Sequence, residues 1–231
     1  MSRLIRNFFI RRRSEFLLFG FLAEVLATPL ADHDRRGGGL MALLLDVLFA
    51  LGARDMASRK AVRFIVVPIA GIWLLTRLLE AFANTHDAFT HISPIAGFAL
   101  SCAVLWAFFD HFDTVPRVTS SVISEAFITY VVIAIAFAQL YWILNDLIPH
   151  AFNVVIPRTE ISTLEYFSMV TLGGVGYGGI IPVNSYVRLI CALENMMGIF
   201  YIAVVVARLI SSYKPRHRDV IEVSDASNRE E

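Results

Sequence analysis

Charge is scarce in this chain, and what there is cancels. Asp, Glu, Lys and Arg make up 17% of its 231 residues, twenty of each sign, so the formal net charge is zero. A neutral chain has no global electrostatic footprint for nucleic acid, so no such partner is expected. Cysteine occurs twice, at Cys102 and Cys191, both in apolar runs. That excludes a disulfide framework and predicts two small buried hydrophobes. A cleavable secretory signal is not expected either. Arg3, Arg6, Arg11, Arg12 and Arg13 precede an apolar run, but the run lacks a small-residue cleavage pattern and continues into Asp32-His33-Asp34-Arg35-Arg36. The histidines lack metal-ligand spacing, and the apolar segments hold no nucleophile–base pair. No enzyme and no organic cofactor is therefore expected.

What the chain does have is apolar length. Hydrophobic residues make up 57% of it, and the mean hydropathy is +0.64. These values predict an all-α integral membrane protein. A hydrocarbon core roughly 30 Å thick takes about 20 helical residues. Six spans are predicted, at 16–32, 40–53, 62–83, 92–111, 121–147 and 186–211. The first two form a hairpin around Gly37-Gly38-Gly39 and are interrupted by Glu24, Pro29 and Asp46. Within the outer bundle, Glu24, Asp46, Arg77 and Glu80 are expected to pair with one another. With a cytoplasmic N-terminus, fourteen of the twenty Lys and Arg residues fall inside; Arg35, Arg36, Arg158 and Arg188 fall outside. That bias is the expected one and puts both termini in the cytoplasm. Span 92–111 contains no arginine, so it lacks the charges of a voltage sensor. The chain divides into a four-helix membrane domain (1–115), a second membrane domain (116–213) and a polar tail (214–231). The tail, expected to be disordered, is too short for a ligand-binding domain.

The chemistry is concentrated between the last two spans. Ser162-Thr163-Leu164-Glu165 reads as a capping box, with Ser162 as N-cap and Glu165 at the third helical position, opening a short helix that includes Thr171 and runs to about Leu172. Its negative end would favour a cation. There follows Gly173-Gly174-Val175-Gly176-Tyr177-Gly178-Gly179, closed by Pro182. As a dinucleotide fingerprint this run fails, because a helix precedes it and a proline follows. As an interhelical linker it would be an unusual loop, set between a capped helix and a spanning one. Glycines at 174, 176 and 178 let the backbone alternate through left-handed conformations. Successive carbonyls can then face one side, a ring of oxygens able to replace an ion's water shell. Span 186–211 carries Gly198, as a hinge or a packing site, with Ile202, Val206 and Ile210 on one face that could line a pore and gate it. Glu194 is an intramembrane carboxylate, read as hydrogen-bonded behind the glycine run or as functional in its own right. Tyr141 and Trp142 fit an interfacial aromatic belt.

Gly174-Val175-Gly176-Tyr177-Gly178 matches the Thr-Val-Gly-Tyr-Gly filter of potassium channels at four of five positions. Tyr166-Phe167-Ser168, Thr171-Leu172, Ile180-x-Pro182-Val183, Arg188-Leu189, Gly198 and Val118-Thr119…Leu140-Tyr141 extend the likeness over 118–212. The sequence resembles the tetrameric potassium channel superfamily, in particular small bacterial six-span members. The resemblance implies a homotetramer in a lipid bilayer, specifically a bacterial inner membrane. It implies potassium ions held by the carbonyls of Gly174, Val175, Gly176 and Tyr177, with the Val175 and Tyr177 side chains as outward packing struts. It leaves accessory subunits unspecified. Two departures bear on selectivity. Gly173 and Gly174 stand where the family has two threonines, and Gly179 stands where it has an aspartate that bonds an aromatic of the pore helix. A non-selective cation channel and a non-conducting channel-like subunit are the alternatives these departures raise.

Overall fold

The computed structural model describes residues 19–20, 22–23, 25–29, 60–82, 92–112, 120–157 and 160–212. The predicted span 40–53, the glycine turn and the tail 214–231 lie outside the described residues, as do the side chains of Glu24, Asp46, Arg77 and Glu80. The described part of span 16–32 is helical. Five further helices follow: α1 Lys60–Phe82, α2 Ile92–Phe112, α3 Ser120–Leu147, α4 Ile161–Leu172 and α5 Ser185–Ser212. The four long ones begin and end within two residues of the predicted spans. Among the described residues, Ile123–Leu147 and Ser185–Arg208 are long and apolar enough to cross a membrane; Phe64–Thr76 and Ile92–Ala107 are shorter apolar stretches of α1 and α2. The described chain is all α, apart from one isolated β-bridge between Phe152 and Pro182.

α3 is the spine. Its sequence is apolar on every side, so both of its faces bury. One face takes α2, and α2 in turn takes α1. Val66, Ala70 and Trp73 of α1, at helical spacing, meet Leu100, Ala103, Val104 and Ala107 of α2 and Ile128, Val131 and Val132 of α3. The small residues let these backbones approach closely, which is how helices associate where lipid is as apolar as the protein. At Gly97 side chains of the neighbouring helices leave little room: a Cβ there would lie 3.0 Å from Trp73 Nε1 and 3.1 Å from the Gln139 amide carbon. Pro68 stands inside α1 without ending it, as membrane helices tolerate.

The other face of α3 takes α4 and α5. Tyr141, Phe152 and Phe167 form an edge-to-face triad with ring centroids 5.1–6.0 Å apart, a geometry that aligns positive ring edges with negative faces. Ile161, Leu164, Val187 and Cys191 pack around it. Tyr141 is therefore fully buried, which corrects its reading as an interfacial residue. Cys102 is corrected in the other direction: it is exposed, while Cys191 is buried as expected.

Candidate ion pathway

α4 starts earlier than predicted. Glu160 is the N-cap and makes no side-chain cap hydrogen bond, so Ser162 is the second helical residue and Glu165 the fifth. The capping box does not form because Ile161 is pulled into the aromatic cluster, where it is buried, and the first turn follows it. At the other end the helix is closed by a Schellman motif. The Val175 N–H donates to the Val170 carbonyl at 3.0 Å and the Gly174 N–H to the Thr171 carbonyl at 3.1 Å, with Gly174 in the left-handed conformation at φ +68°. Gly174 is thus the residue that stops the helix as well as the first of the alternating run.

The remaining terminal carbonyls of α4 are also occupied. Met169 accepts from the Gly173 N–H at 3.0 Å, Leu172 from the Tyr130 hydroxyl at 3.1 Å, and Thr171 from a second donor, Asn195 Nδ2, at 2.8 Å. All four orphan acceptors of the last turn are satisfied. The donors offset part of the negative charge that the bare helix end would present to a cation. The Thr171 hydroxyl itself donates back to the Phe167 carbonyl at 2.8 Å.

Beyond Gly174 the backbone alternates. Gly176 has φ +61° and Gly178 φ +81°, while Val175 and Tyr177 between them keep negative φ. The Tyr177 ring lies parallel to Tyr166 of α4, with ring centroids 6.4 Å apart, and is exposed. A cavity of about 40 Å³ lies between the glycine run and α4, lined by Tyr166, Val170, Thr171, Tyr177 and Gly179 among others. The exit of the run is clamped by the loop after α3. Asn153 N–H donates to the Ile181 carbonyl at 2.9 Å, and its Oδ1 accepts from the Ile181 N–H at 2.7 Å. Val183 N–H donates to the Ala151 carbonyl at 2.9 Å. Asn184 then caps α5, its Oδ1 accepting from the Tyr186 N–H at 2.9 Å.

α5 presents a buried stripe and an open one. Val187, Cys191, Glu194 and Gly198 recur at helical spacing and are buried. Gly198 meets the end of α4 so closely that a Cβ would sit 2.0 Å from the Leu172 carbonyl oxygen. That contact requires glycine here, and α5 runs unbroken through it. One turn back, Glu194 is fully buried and accepts a hydrogen bond from the Tyr141 hydroxyl at 2.5 Å, with the Ser168 hydroxyl also at 2.5 Å. Tyr201 continues the stripe, its hydroxyl donating to the Ala126 carbonyl at 2.7 Å. Ile202 and Val206 are exposed; the Ile210 side chain lies outside the described residues.

Sequence reasoning placed the glycine run, α4 and Glu194 in one site. It missed Tyr130, Tyr141, Ser168, Asn153 and Asn195. The signal for two of them was present: a carboxyl in an apolar helix needs hydroxyl or amide partners, and Tyr141 and Ser168 are polar groups in the elements flanking it.

A family model described as "Ion channel" matches residues 118–214. No curated protein and no solved structure matches the chain. The matched segment begins at the foot of α3, ends just past α5 and contains the whole unit of spine, short helix, glycine run and clamp. Over residues 118–214, less than half of the chain, the sequence is similar to this ion-channel family.

Proposed function

We propose that four copies of this chain assemble around a central axis and conduct potassium passively through a filter lined by backbone carbonyls of Gly174, Val175, Gly176 and Tyr177. The observation that carries this reading is the alternation of positive φ at 174, 176 and 178 with negative φ between. It is the backbone pattern by which successive carbonyls come to face one side. One chain supplies one strand of such a filter, so the ring of oxygens needs symmetric copies. The open stripe of α5, where Leu193, Met196, Phe200 and Val204 are exposed, is apolar and would meet neighbouring copies or lipid. Ile202, Val206 and Ile210 would line the inner passage, and the six-span bacterial inner-membrane topology has both termini in the cytoplasm. Ions are the cargo; no organic cofactor is invoked. A hinge at Gly198 is not needed for this reading, since the Leu172 contact accounts for the glycine.

The test is thallium or rubidium influx into liposomes containing the purified chain, together with native mass measurement of the assembly. Influx with a mass of four chains supports the proposal. A monomer, or no influx, defeats it and favours a non-conducting channel-like subunit. A non-selective cation channel is the second reading, favoured by one observation: Gly174 offers only a carbonyl where the family's threonine adds a hydroxyl.

A further inference from the structure

Glu194 is fully buried on the face of α5 that packs against α3 and α4, yet neither the filter nor the open stripe uses it. Among the described residues, its hydrogen-bond partners are two hydroxyls and no cation. Tyr141 of α3 donates to Oε2 at 2.5 Å. Ser168 of α4 lies 2.5 Å from Oε1 and, with the same oxygen, 2.7 Å from the Ala134 carbonyl of α3. A backbone carbonyl only accepts, and a serine hydroxyl has one proton to give. If Ser168 gives it to Ala134, the short Ser168–Glu194 contact has no hydrogen unless the carboxyl supplies one. Every contact is satisfied when the proton sits on Glu194 Oε1. The chain of bonds is then Tyr141 O–H to Glu194 Oε2, Glu194 Oε1–H to Ser168 Oγ, and Ser168 O–H to the Ala134 carbonyl. A lone buried carboxylate without a cation is also the more costly alternative in an apolar setting.

The geometry points to Glu194 as a neutral carboxylic acid that acts as a positioning residue for the ion pathway, binding α4 to α3 and α5 through a directed relay of three hydrogen bonds. Its place explains the effect. Ser168 lies one turn before the Schellman motif that sets Gly174, and the next residue of α5, Asn195, holds the Thr171 carbonyl at that same motif. A shift of α5 against α4 would therefore be felt at the first carbonyls of the glycine run. This inference rests on the channel reading for its consequence, but not for the proton itself.

The experiment uses the full chain reconstituted in liposomes. Infrared difference spectra between the wild-type protein and Glu194→Gln are expected to show a protonated-carboxyl C=O band in the wild type alone, moving on exchange into deuterated water. Glu194→Gln, whose amide oxygen can accept from Tyr141 and whose NH₂ can donate to Ser168, should keep the wild-type potassium-to-sodium permeability ratio. Glu194→Met keeps the volume but cannot take part in the relay, and should lower that ratio about tenfold. Absence of the infrared band overturns the neutral acid whether or not the chain conducts. A Glu194→Met channel with the wild-type ratio overturns the positioning role. A Glu194→Gln channel that is as impaired as Glu194→Met overturns the relay as drawn.

Discussion

α1 and α2 meet α3 mainly through stripes of alanine, valine, leucine and isoleucine, whereas α4 adds to its own apolar contacts with α3 and α5 a set of hydroxyls, an amide and a carboxyl. The difference follows from the solvent. In lipid, apolar side chains gain little by leaving their surroundings, so apolar stripes hold helices together by packing alone. Such packing fixes distance but not the azimuth of individual peptide groups. A filter needs its carbonyls aimed, and aim comes from directional bonds. The outer helices thus read as a scaffold, and the inner unit as a fixture for one stretch of backbone.

Substitutions can break this contrast. The largest effect is expected at Gly198→Ala, where the added methyl would meet the Leu172 carbonyl oxygen. Separating α5 from α4 should cost about 3 kcal/mol or more, the upper end for overpacking, and should abolish ion flux in the liposome assay. Tyr141→Phe removes a buried donor to Glu194 while keeping the ring. A loss of about 2 kcal/mol is expected in thermal unfolding in detergent, with reduced selectivity. Gly174→Ala places a side chain at φ +68°, costing about 1–2 kcal/mol; the expected sign is a drop in the potassium-to-sodium permeability ratio measured in bilayers. Leu100→Ala in the outer contact sharpens the comparison from the other side. Stability should fall by about 1–2 kcal/mol, because the cavity remains even where transfer to lipid costs little, and the permeability ratio should stay unchanged. Smallest of all, Cys102→Ala at an exposed position should alter neither stability nor flux by more than about 0.5 kcal/mol equivalent.

Much of this was readable from the chain. Long apolar runs bounded by charge located the four long described helices to within two residues. The glycine alternation foretold the positive φ at 174, 176 and 178, because few residues other than glycine adopt it freely. What escaped was long-range choice of partner. Nothing in Tyr141 itself says that it faces a carboxyl 53 positions away instead of the bilayer surface. Ser162 satisfied a local capping pattern that lost to burial of Ile161. Gly198 read equally as a hinge or a contact until Leu172 was found against it. The double duty of Gly174, as helix terminator and first residue of the alternating run, was also hidden. It changes how that position should be probed: a threonine placed there meets the left-handed backbone and the Asn195 amide, whose Nδ2 would lie 3.1 Å from its Cβ.

The central claim is selective conduction through a backbone-lined filter, and the bi-ionic reversal potential of the purified channel, potassium on one side and sodium on the other, tests it most directly. The account predicts a value close to the potassium limit, with carbonyls alone sufficing in the absence of the threonine hydroxyl. A reversal potential near zero would contradict it and make this a non-selective cation channel.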